Sequence, residues 1–253
     1  EHYFLDDRYI YSDKIAKFIL ECDRRSAGAV MRRLAMRFDH IFLDEVQDIA
    51  GYDLDLLELI LKTGIRMTLV GDHRQATFAT NHGKKNKAFA GIKVIEKFRA
   101  WQKSGLAGVA YEQQTHRCNQ LIADLSDTLF PQEPKTTSLN CTRTGHDGIF
   151  IVRTDQVETY VAKYSPKILR LDRRTNCSGL DATNFGDSKG LTFDRVLVFP
   201  HGLAQKWLAT GSVTHIEKSL AKMYVGITRA KYSLAFVFDR SVAIPGAVSL
   251  GEG

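Results

Sequence analysis

Residues 40–48 read His-Ile-Phe-Leu-Asp-Glu-Val-Gln-Asp, and this stretch decides the fold of the chain. A short apolar run, Ile41 to Leu43, is followed at once by the carboxylates of Asp44 and Glu45. The run has the length and composition of a strand that is buried on both faces of a parallel sheet. Since open α/β sheets bind ligands at the carboxyl ends of their strands, the stretch predicts a polar site at a sheet edge.

The two carboxylates admit two interpretations. Paired acids at such an edge can divide the work of phosphoryl transfer, with one helping to hold Mg²⁺ and the other orienting or deprotonating the attacking water. By that hypothesis Asp44 is the metal ligand and Glu45 is the catalytic residue. The alternative is a strand that simply ends in a solvated acidic turn, and other parts of the sequence have to decide between the two.

A second polar turn follows the next predicted strand. Residues 66–70 have the character of a short strand, which stops at Gly71 and Asp72. If the two strands pair, this turn lies beside the first. Gln75 could then hydrogen-bond a γ-phosphate or the attacking water without adding charge. Phe78 could stack on a base if it is exposed, although a single phenylalanine more often belongs to a core.

Two further segments in the C-terminal half have the composition of anion sites. Residues 186–193 form a polar turn bounded by glycines, whose backbone N–H groups can approach an anion closely, and Lys189 adds a charge. Residues 224–231 read Tyr-Val-Gly-Ile-Thr-Arg-Ala-Lys. They follow an amphipathic helix that we predict over 214–223, and they precede a strand that we predict over 234–238.

Composition narrows the class of protein. Of the 253 residues 44% are hydrophobic and 25% charged, and the net charge is +6, which suits a polyanion partner without requiring one. No apolar stretch approaches the roughly 18 residues of a membrane span. The four cysteines are far apart, as expected for free thiols in a reducing compartment, by default the cytoplasm.

A change of pattern between about 105 and 112 divides the chain into domains. We predict a first domain over 1–108, a second over 109–240 and a loose tail over 241–253. Five arginines between 24 and 37 form a basic helix face, which is either solvated or directed at DNA.

Together these segments resemble the motifs of the UvrD/Rep-like superfamily I DNA helicases. The order of five motifs across residues 40–231 carries more weight than any motif alone. The correspondences are motif II, or Walker B, at 44–48; motif III at 70–78; motif IV at 114–117; motif V at 189–193; and motif VI at 224–230.

The resemblance implies two RecA-like P-loop NTPase domains of the α/β class with mainly parallel sheets, the first incomplete, and ATP in the cleft between them. Asp44 would bind Mg²⁺, Glu45 would activate water and Gln75 would sense the γ-phosphate. Arg117 and Arg229 would act as paired arginine fingers from the second domain.

Further contacts are also carried over from the family. Gly190 and Thr192 would join Asp44, Gln75 and the two arginines in binding the nucleotide, although relatives usually have Glu where this chain has Thr192. Phe78 would stack on the bases of single-stranded DNA, and Lys189 and Gly190 would contact its phosphates. The implied partners are single-stranded and duplex DNA.

Two other functional classes remain open. The chain could be a degenerate helicase-like subunit that grips DNA or protein without catalysis, or the motor part of a helicase–nuclease. The retention of Glu45, Gln75, Arg117 and Arg229 favours a motor over a binding module. Beyond Asp44 and Glu45 the sequence shows no clustered acidic metal site for a nuclease.

One expected motif is missing from the sequence. No Gly-x-x-x-x-Gly-Lys-Ser/Thr P-loop occurs, so we expect this Walker A segment to lie before Glu1 in a parent chain or to be absent from it. Without the P-loop and its lysine, the β- and γ-phosphates lack their main cradle.

We therefore predict that these 253 residues alone do not hydrolyse ATP, because the phosphates are not held for in-line attack. Steady-state ATPase measurements with single-stranded DNA check this. Clear turnover that Glu45→Gln abolishes would contradict it.

Overall fold

The computed structural model describes residues 3–5, 8–81 and 83–250. The chain divides into two compact units, Glu1–Ala110 (unit 1) and Tyr111–Gly253 (unit 2). Helices alternate with strands in both units, and the strands pair in parallel. The predicted α/β class with mainly parallel sheets is thereby confirmed.

Unit 1 combines α-helices with a short parallel sheet. Strands β1 and β2 form this two-stranded sheet, in which Leu43 lies opposite Leu69. The elements in chain order are α1 (Ile15–Arg25), α2 (Ala29–Ala35), β1 (His40–Leu43), α3 (Tyr52–Leu61), β2 (Arg66–Leu69) and α4 (Val94–Lys103).

Strand β1 is covered on one face only, where its side chains are partly buried, and the prediction of burial on both faces is wrong. Ile41 and Leu43 pack against side chains of the helices, whereas Phe42 points the other way and is 72% exposed. The reason is alternation along a strand: helices of the described chain cover one side of the two-stranded sheet. His40, on the same outward face, stacks on the ring of Phe42.

Unit 2 contains a larger sheet with helices between its strands. Its elements are β3 (Gln114–Thr115), α5 (Gln120–Thr128), β4 (Thr137–Ser138), β5 (Gly148–Val152), α6 (Val157–Tyr164), β6 (Lys167–Arg170), β7 (Thr183–Asn184), β8 (Phe193–Phe199), α7 (Gly202–Thr210), α8 (Leu220–Thr228), β9 (Ala230–Val237) and β10 (Ala247–Ser249).

The main sheet of unit 2 has six strands in the order β10-β5-β9-β8-β6-β7, all parallel. Val196, Leu197, Leu234 and Phe236 on the central strands are fully buried. Such continuous apolar runs are typical of strands covered by helices on both faces. The turns that precede β8 and β9 therefore lie at the amino-terminal edge of this sheet, and they carry Lys189 to Thr192 and Arg229.

Two predictions for unit 2 differ from the structure. The helix predicted over 214–223 is a 3₁₀ helix, Val213–Ser219, followed by α8, so that most of motif VI is helical. The tail predicted to be loose over 241–253 contains β10, which pairs with β5. Ile244 is buried there, since its apolar side chain joins the core; residues 251–253 lie outside the described residues.

None of the described helices is both long enough and apolar enough to cross a membrane.

A buried histidine in unit 2 is enclosed by aromatic rings. The ring of His146 stacks on Phe150 and on Tyr164, with centroids 4.0 and 3.7 Å away. Its Nε2 lies 2.9 Å from the hydroxyl of Tyr160. Burial lowers the pKa of His146 to about 4, and the positive charges of Arg195 and Lys163 act in the same direction.

This pKa makes the stability of the fold depend on pH. Because the folded pKa lies below the ordinary value of 6.5, the contribution of neutral His146 is complete above that value and is lost as the pH falls toward 4. We expect a loss of about 2 kcal/mol in the free energy of unfolding between pH 7 and pH 4.5 from this group. Urea unfolding at both pH values measures it.

His146→Phe serves as the comparison, because it keeps an aromatic ring but cannot titrate. The unfolding free energy of the wild-type protein minus that of the variant should decrease at acidic pH, because only the wild-type protein loses stability through this group. A difference that stays constant with pH would contradict the assignment.

Candidate nucleotide and nucleic-acid sites

The end of β1 turns sharply at the paired carboxylates. Glu45 adopts the left-handed conformation, φ 53° and ψ 37°, which is uncommon for a residue other than glycine and often marks functional sites. The Oδ1 atom of Asp44 accepts a hydrogen bond from the backbone N–H of Glu45 at 2.7 Å. Both side chains are exposed, as a metal ligand or a general base requires.

A buried glutamine joins this turn to the next strand end. Gln47 is 2% exposed, and its Nε2 donates to the carboxylate of Glu45. Its Oε1 accepts from the backbone N–H of Asp72 at 3.0 Å. The parallel pairing of β1 and β2 thus places the two polar turns side by side, as the sequence predicted. Gln47 was not among the predicted site residues, although its position directly after the acidic pair was the available signal.

The second turn is organised by a carboxylate of its own. Asp72 accepts hydrogen bonds from the backbone and side chain of Arg74 and from the Nε2 of Gln75, at 3.1, 2.9 and 3.1 Å. Burial would raise the pKa of Asp72, but the charge of Arg74 and these hydrogen bonds outweigh it and lower the pKa. Asp72 therefore stays ionised, and it holds the amide group of Gln75.

Phe78 is exposed, as base stacking by its ring would require. Its side chain is 62% exposed rather than part of the core of unit 1.

In unit 2 motif IV is tied to the start of β9. Asn119 caps α5 by accepting from Ile122 N–H at 3.2 Å, and its Nδ2 donates to the carbonyl of Tyr232 at 2.6 Å. Arg117 lies two residues before this cap and is half-buried, with its backbone N–H donating to Thr115 Oγ1 at 3.2 Å. Motifs IV and VI are therefore neighbours at the amino-terminal edge of the sheet.

Motif V is a tight turn at the same edge. Gly190 has φ +81°, a conformation that favours glycine. Gly190 and Thr192 are exposed, and Lys189 is half-buried. The backbone N–H of Phe193 donates to the carbonyl of Arg229 at 2.9 Å, so motifs V and VI are also adjacent.

Arg229 is fully buried, and the sequence around it did not indicate this burial. Its Nε donates to the carbonyl of Val225 and its Nη1 to the carbonyl of Leu191, both at 3.1 Å. Its Nη2 donates to Thr228 Oγ1 at 3.2 Å. The guanidinium thus links α8 to the motif V turn, and its role as an arginine finger stays a prediction.

The chemistry of the first turn suits magnesium bound together with a phosphate substrate. Among residues 3–5, 8–81 and 83–250, no group of three or more His, Cys, Asp and Glu side chains could hold a metal ion. Mg²⁺ is commonly held by one or two carboxylates together with water and substrate phosphates. The exposed carboxylate of Asp44 fits that mode.

Comparison with known proteins finds a family model that is similar to part of unit 1. Residues 9–87 match the family model for the UvrD/REP helicase N-terminal domain. No curated protein matches the chain.

Several solved helicase structures are similar to the chain over most of its length. The Arterivirus nonstructural protein 10 helicase has a TM-score of 0.45 at 16% identity, over 78% of this chain and 38% of that one. The PRRSV helicase has a TM-score of 0.45 at 18% identity, over 81% and 37%. A complex of the arterivirus protein with DNA has a TM-score of 0.47 at 16% identity, over 78% and 39%. The chain thus spans less than two fifths of each of these proteins.

The matched residues include both polar turns of unit 1. The resemblance of residues 44–48 and 70–78 to the UvrD/Rep-like helicases is confirmed by this match, which spans residues 9–87.

The contact between the two turns can be tested at Gly71. A Cβ atom at this position would lie 2.3 Å from Gln47 Oε1 and 3.0 Å from the backbone nitrogen of Val46. We expect Gly71→Ala to lower the free energy of unfolding by about 1–3 kcal/mol, because the buried glutamine has to move. Urea denaturation measures the change.

Gly108→Ala is the matched control, since no atom lies within 4 Å of its added Cβ and its φ is not in the left-handed region. Equal stability of the two variants would show that Gln47 does not pack against Gly71 as described.

Proposed function

We propose that this chain is part of an ATP-dependent superfamily I DNA helicase or translocase, which moves on single-stranded DNA and unwinds duplexes. The observation that carries the proposal is the pair of polar turns joined by Gln47, at the carboxyl ends of parallel strands within the family match. In α/β folds such edges are where ligands bind.

The geometry of unit 1 suits ATP hydrolysis in the following way. The exposed carboxylate of Glu45 accepts the proton of the attacking water, while Gln47 fixes its orientation. Gln75 contacts the γ-phosphate through an amide that Asp72 orients. Asp44 would hold Mg²⁺, and the bound ion would neutralise phosphate charge.

Unit 2 contributes cationic and backbone groups. We assign nucleotide contacts to Arg117, Gly190, Thr192 and Arg229, and DNA contacts to Lys189 and Gly190. The lack of a side chain at the exposed Gly190 supports the anion role, because an anion can approach the backbone closely there. Phe78 of unit 1 adds a stacking surface for bases.

The Walker A segment of the parent chain is part of this proposal. Phe42 lies on the outward face of the β1–β2 sheet and Val70 directly follows β2, and they are 72% and 56% exposed. This apolar surface could pack against a further segment of the parent chain. All four cysteines are free, which supports a reducing compartment such as the cytoplasm.

A second candidate is a helicase-like subunit that binds DNA or protein without hydrolysing ATP. It would be favoured if the full reading frame also lacked the P-loop consensus, which does not occur in these 253 residues.

Measurements on the full product of the reading frame, with DNA-stimulated ATPase and unwinding as readouts, separate the two candidates. For a motor we expect Glu45→Gln to lower turnover by about 10²–10⁴-fold while nucleotide binding is kept, because only proton transfer is removed. Glu217→Gln, at an exposed glutamate of unit 2, is the control and should leave turnover unchanged.

Wild-type turnover in Glu45→Gln would contradict the assignment of the catalytic base. A full-length protein that binds DNA but shows no DNA-stimulated turnover would instead establish the non-catalytic binding subunit.

A further inference from the structure

We propose that residues 80–87, termed the lysine loop, form a phosphate-contacting surface for single-stranded nucleic acid. The inference rests on the proposed function for the class of substrate, and it adds residues that lie outside all five motifs.

The sequence around this loop carries a local excess of positive charge. Between Asp72 and Glu96 there is no acidic residue, and five side chains are basic, whereas the whole chain has a net charge of only +6. A local excess of this size attracts the closely spaced charges of a nucleic-acid backbone. The basic residues are Arg74, Lys84, Lys85, Lys87 and Lys93.

The loop is pinned near both of its ends to the start of α3. At one end, Thr80 Oγ1 donates to the carboxylate of Asp53. At the other, Asn86 Nδ2 donates to the carbonyl of Gly51 at 2.8 Å and to Asp55 Oδ1 at 2.9 Å. The lysines therefore lie between residues that are anchored on unit 1, which reduces the entropy lost on binding.

Close packing at Gly51 reinforces this anchoring. Gly51 has φ +61°, and a Cβ atom there would lie 2.6 Å from the side chain of Asn81. Asn81 is itself buried, and its Nδ2 donates to the carbonyl of Asp13 at 2.7 Å. The loop is thus packed against unit 1 rather than merely attached at its ends; residue 82 is not part of this description.

The ammonium groups remain available to a ligand. Lys84, Lys85 and Lys87 are exposed, and the nearest carboxylate in an ion pair is Asp55, 3.4 Å from Lys85. Lys85 is exposed and Asp55 is half-buried, and such an open pair contributes little and is readily exchanged for a phosphate.

Single strands fit this surface better than duplexes do. Phe78 is 62% exposed and stands two residues before Thr80, where the loop begins. An exposed aromatic ring beside a basic groove is the usual combination for single strands, because unpaired bases can stack while the phosphates are neutralised. A duplex hides its base faces from such a ring.

The test uses this chain with three lysines changed to glutamine, Lys84→Gln, Lys85→Gln and Lys87→Gln together. Fluorescence anisotropy with oligo-dT and oligo-U over a range of NaCl concentrations gives the slope of log K against log salt. Each phosphate contact on a single strand contributes about 0.7 to this slope, so we expect it to fall by about 2. The two oligomers show whether DNA, RNA or both are bound.

The matched control removes three exposed lysines of unit 2, Lys206→Gln, Lys218→Gln and Lys222→Gln, and so changes the net charge equally. It should leave the slope within about 0.5 of the wild-type value, since an uncontacted lysine releases no counterions. Thermal unfolding verifies that both triple variants are folded.

A second variant separates the effect of the lysine charges on binding from the effect of the hydrogen bonds that anchor the loop. Asn86→Ala keeps all three lysines but loses the hydrogen bonds to Gly51 and Asp55. We expect affinity to fall several-fold with the salt slope unchanged, because ordering the loop then costs free energy on binding.

The outcomes are distinguishable from those of the proposed function. An unchanged slope in the lysine-loop variant, or an equal change in the control, overturns the lysine loop while leaving the helicase proposal intact. Equal loss of affinity for duplex and single strands overturns the single-strand assignment. A wild-type chain that binds no nucleic acid overturns the loop, whereas a parent enzyme without ATPase activity bears on the proposed function alone.

Discussion

The organisation of unit 1 depends on the side-chain amide of Gln47. In a parallel strand pair alone, the two turns at the carboxyl end are not connected to each other. Their charged side chains could then point in different directions into solvent. Gln47 donates to the carboxylate of Glu45 and accepts from the backbone of Asp72, so that both turns share one buried amide. Since a buried amide without partners costs about 1–3 kcal/mol, neither turn can shift without breaking this arrangement.

The same hydrogen bonds explain why particular residue types occupy positions 45 and 71 in the two turns. Gly71 lacks a side chain, and a Cβ atom there would lie only 2.3 Å from Gln47 Oε1. Glu45 has to accept a left-handed backbone so that its side chain can meet the amide. Local strain of this kind persists where surrounding contacts determine it, and at this edge those contacts come from the neighbouring strand.

Local patterns in the sequence predicted the parts of the structure that depend on local chemistry. Apolar runs ending in polar turns indicated β1, β2 and the α/β class, and the adjacency of the two turns followed from parallel pairing. The exposure of Phe42 was not predictable from its own run, because burial depends on what covers the sheet. Strand β10 was missed for a similar reason, since it is a short segment stabilised by pairing with β5, which is remote in sequence. The burial of Arg229 and the anchoring of Asn86 on α3 likewise arise from contacts between distant segments.

The hydrogen bond from Arg229 to the carbonyl of Leu191 gives unit 2 a mechanical linkage. A guanidinium drawn toward an incoming anion would deprive that carbonyl of its donor, and the Lys189–Thr192 backbone would have to respond. Conversely, a polymer that displaced this backbone would disturb the arginine. Occupancy of one ligand position then changes the affinity at the other by the same factor in both directions. If Arg229 and the motif V turn bind ligands as proposed, this one buried cation couples the two binding events.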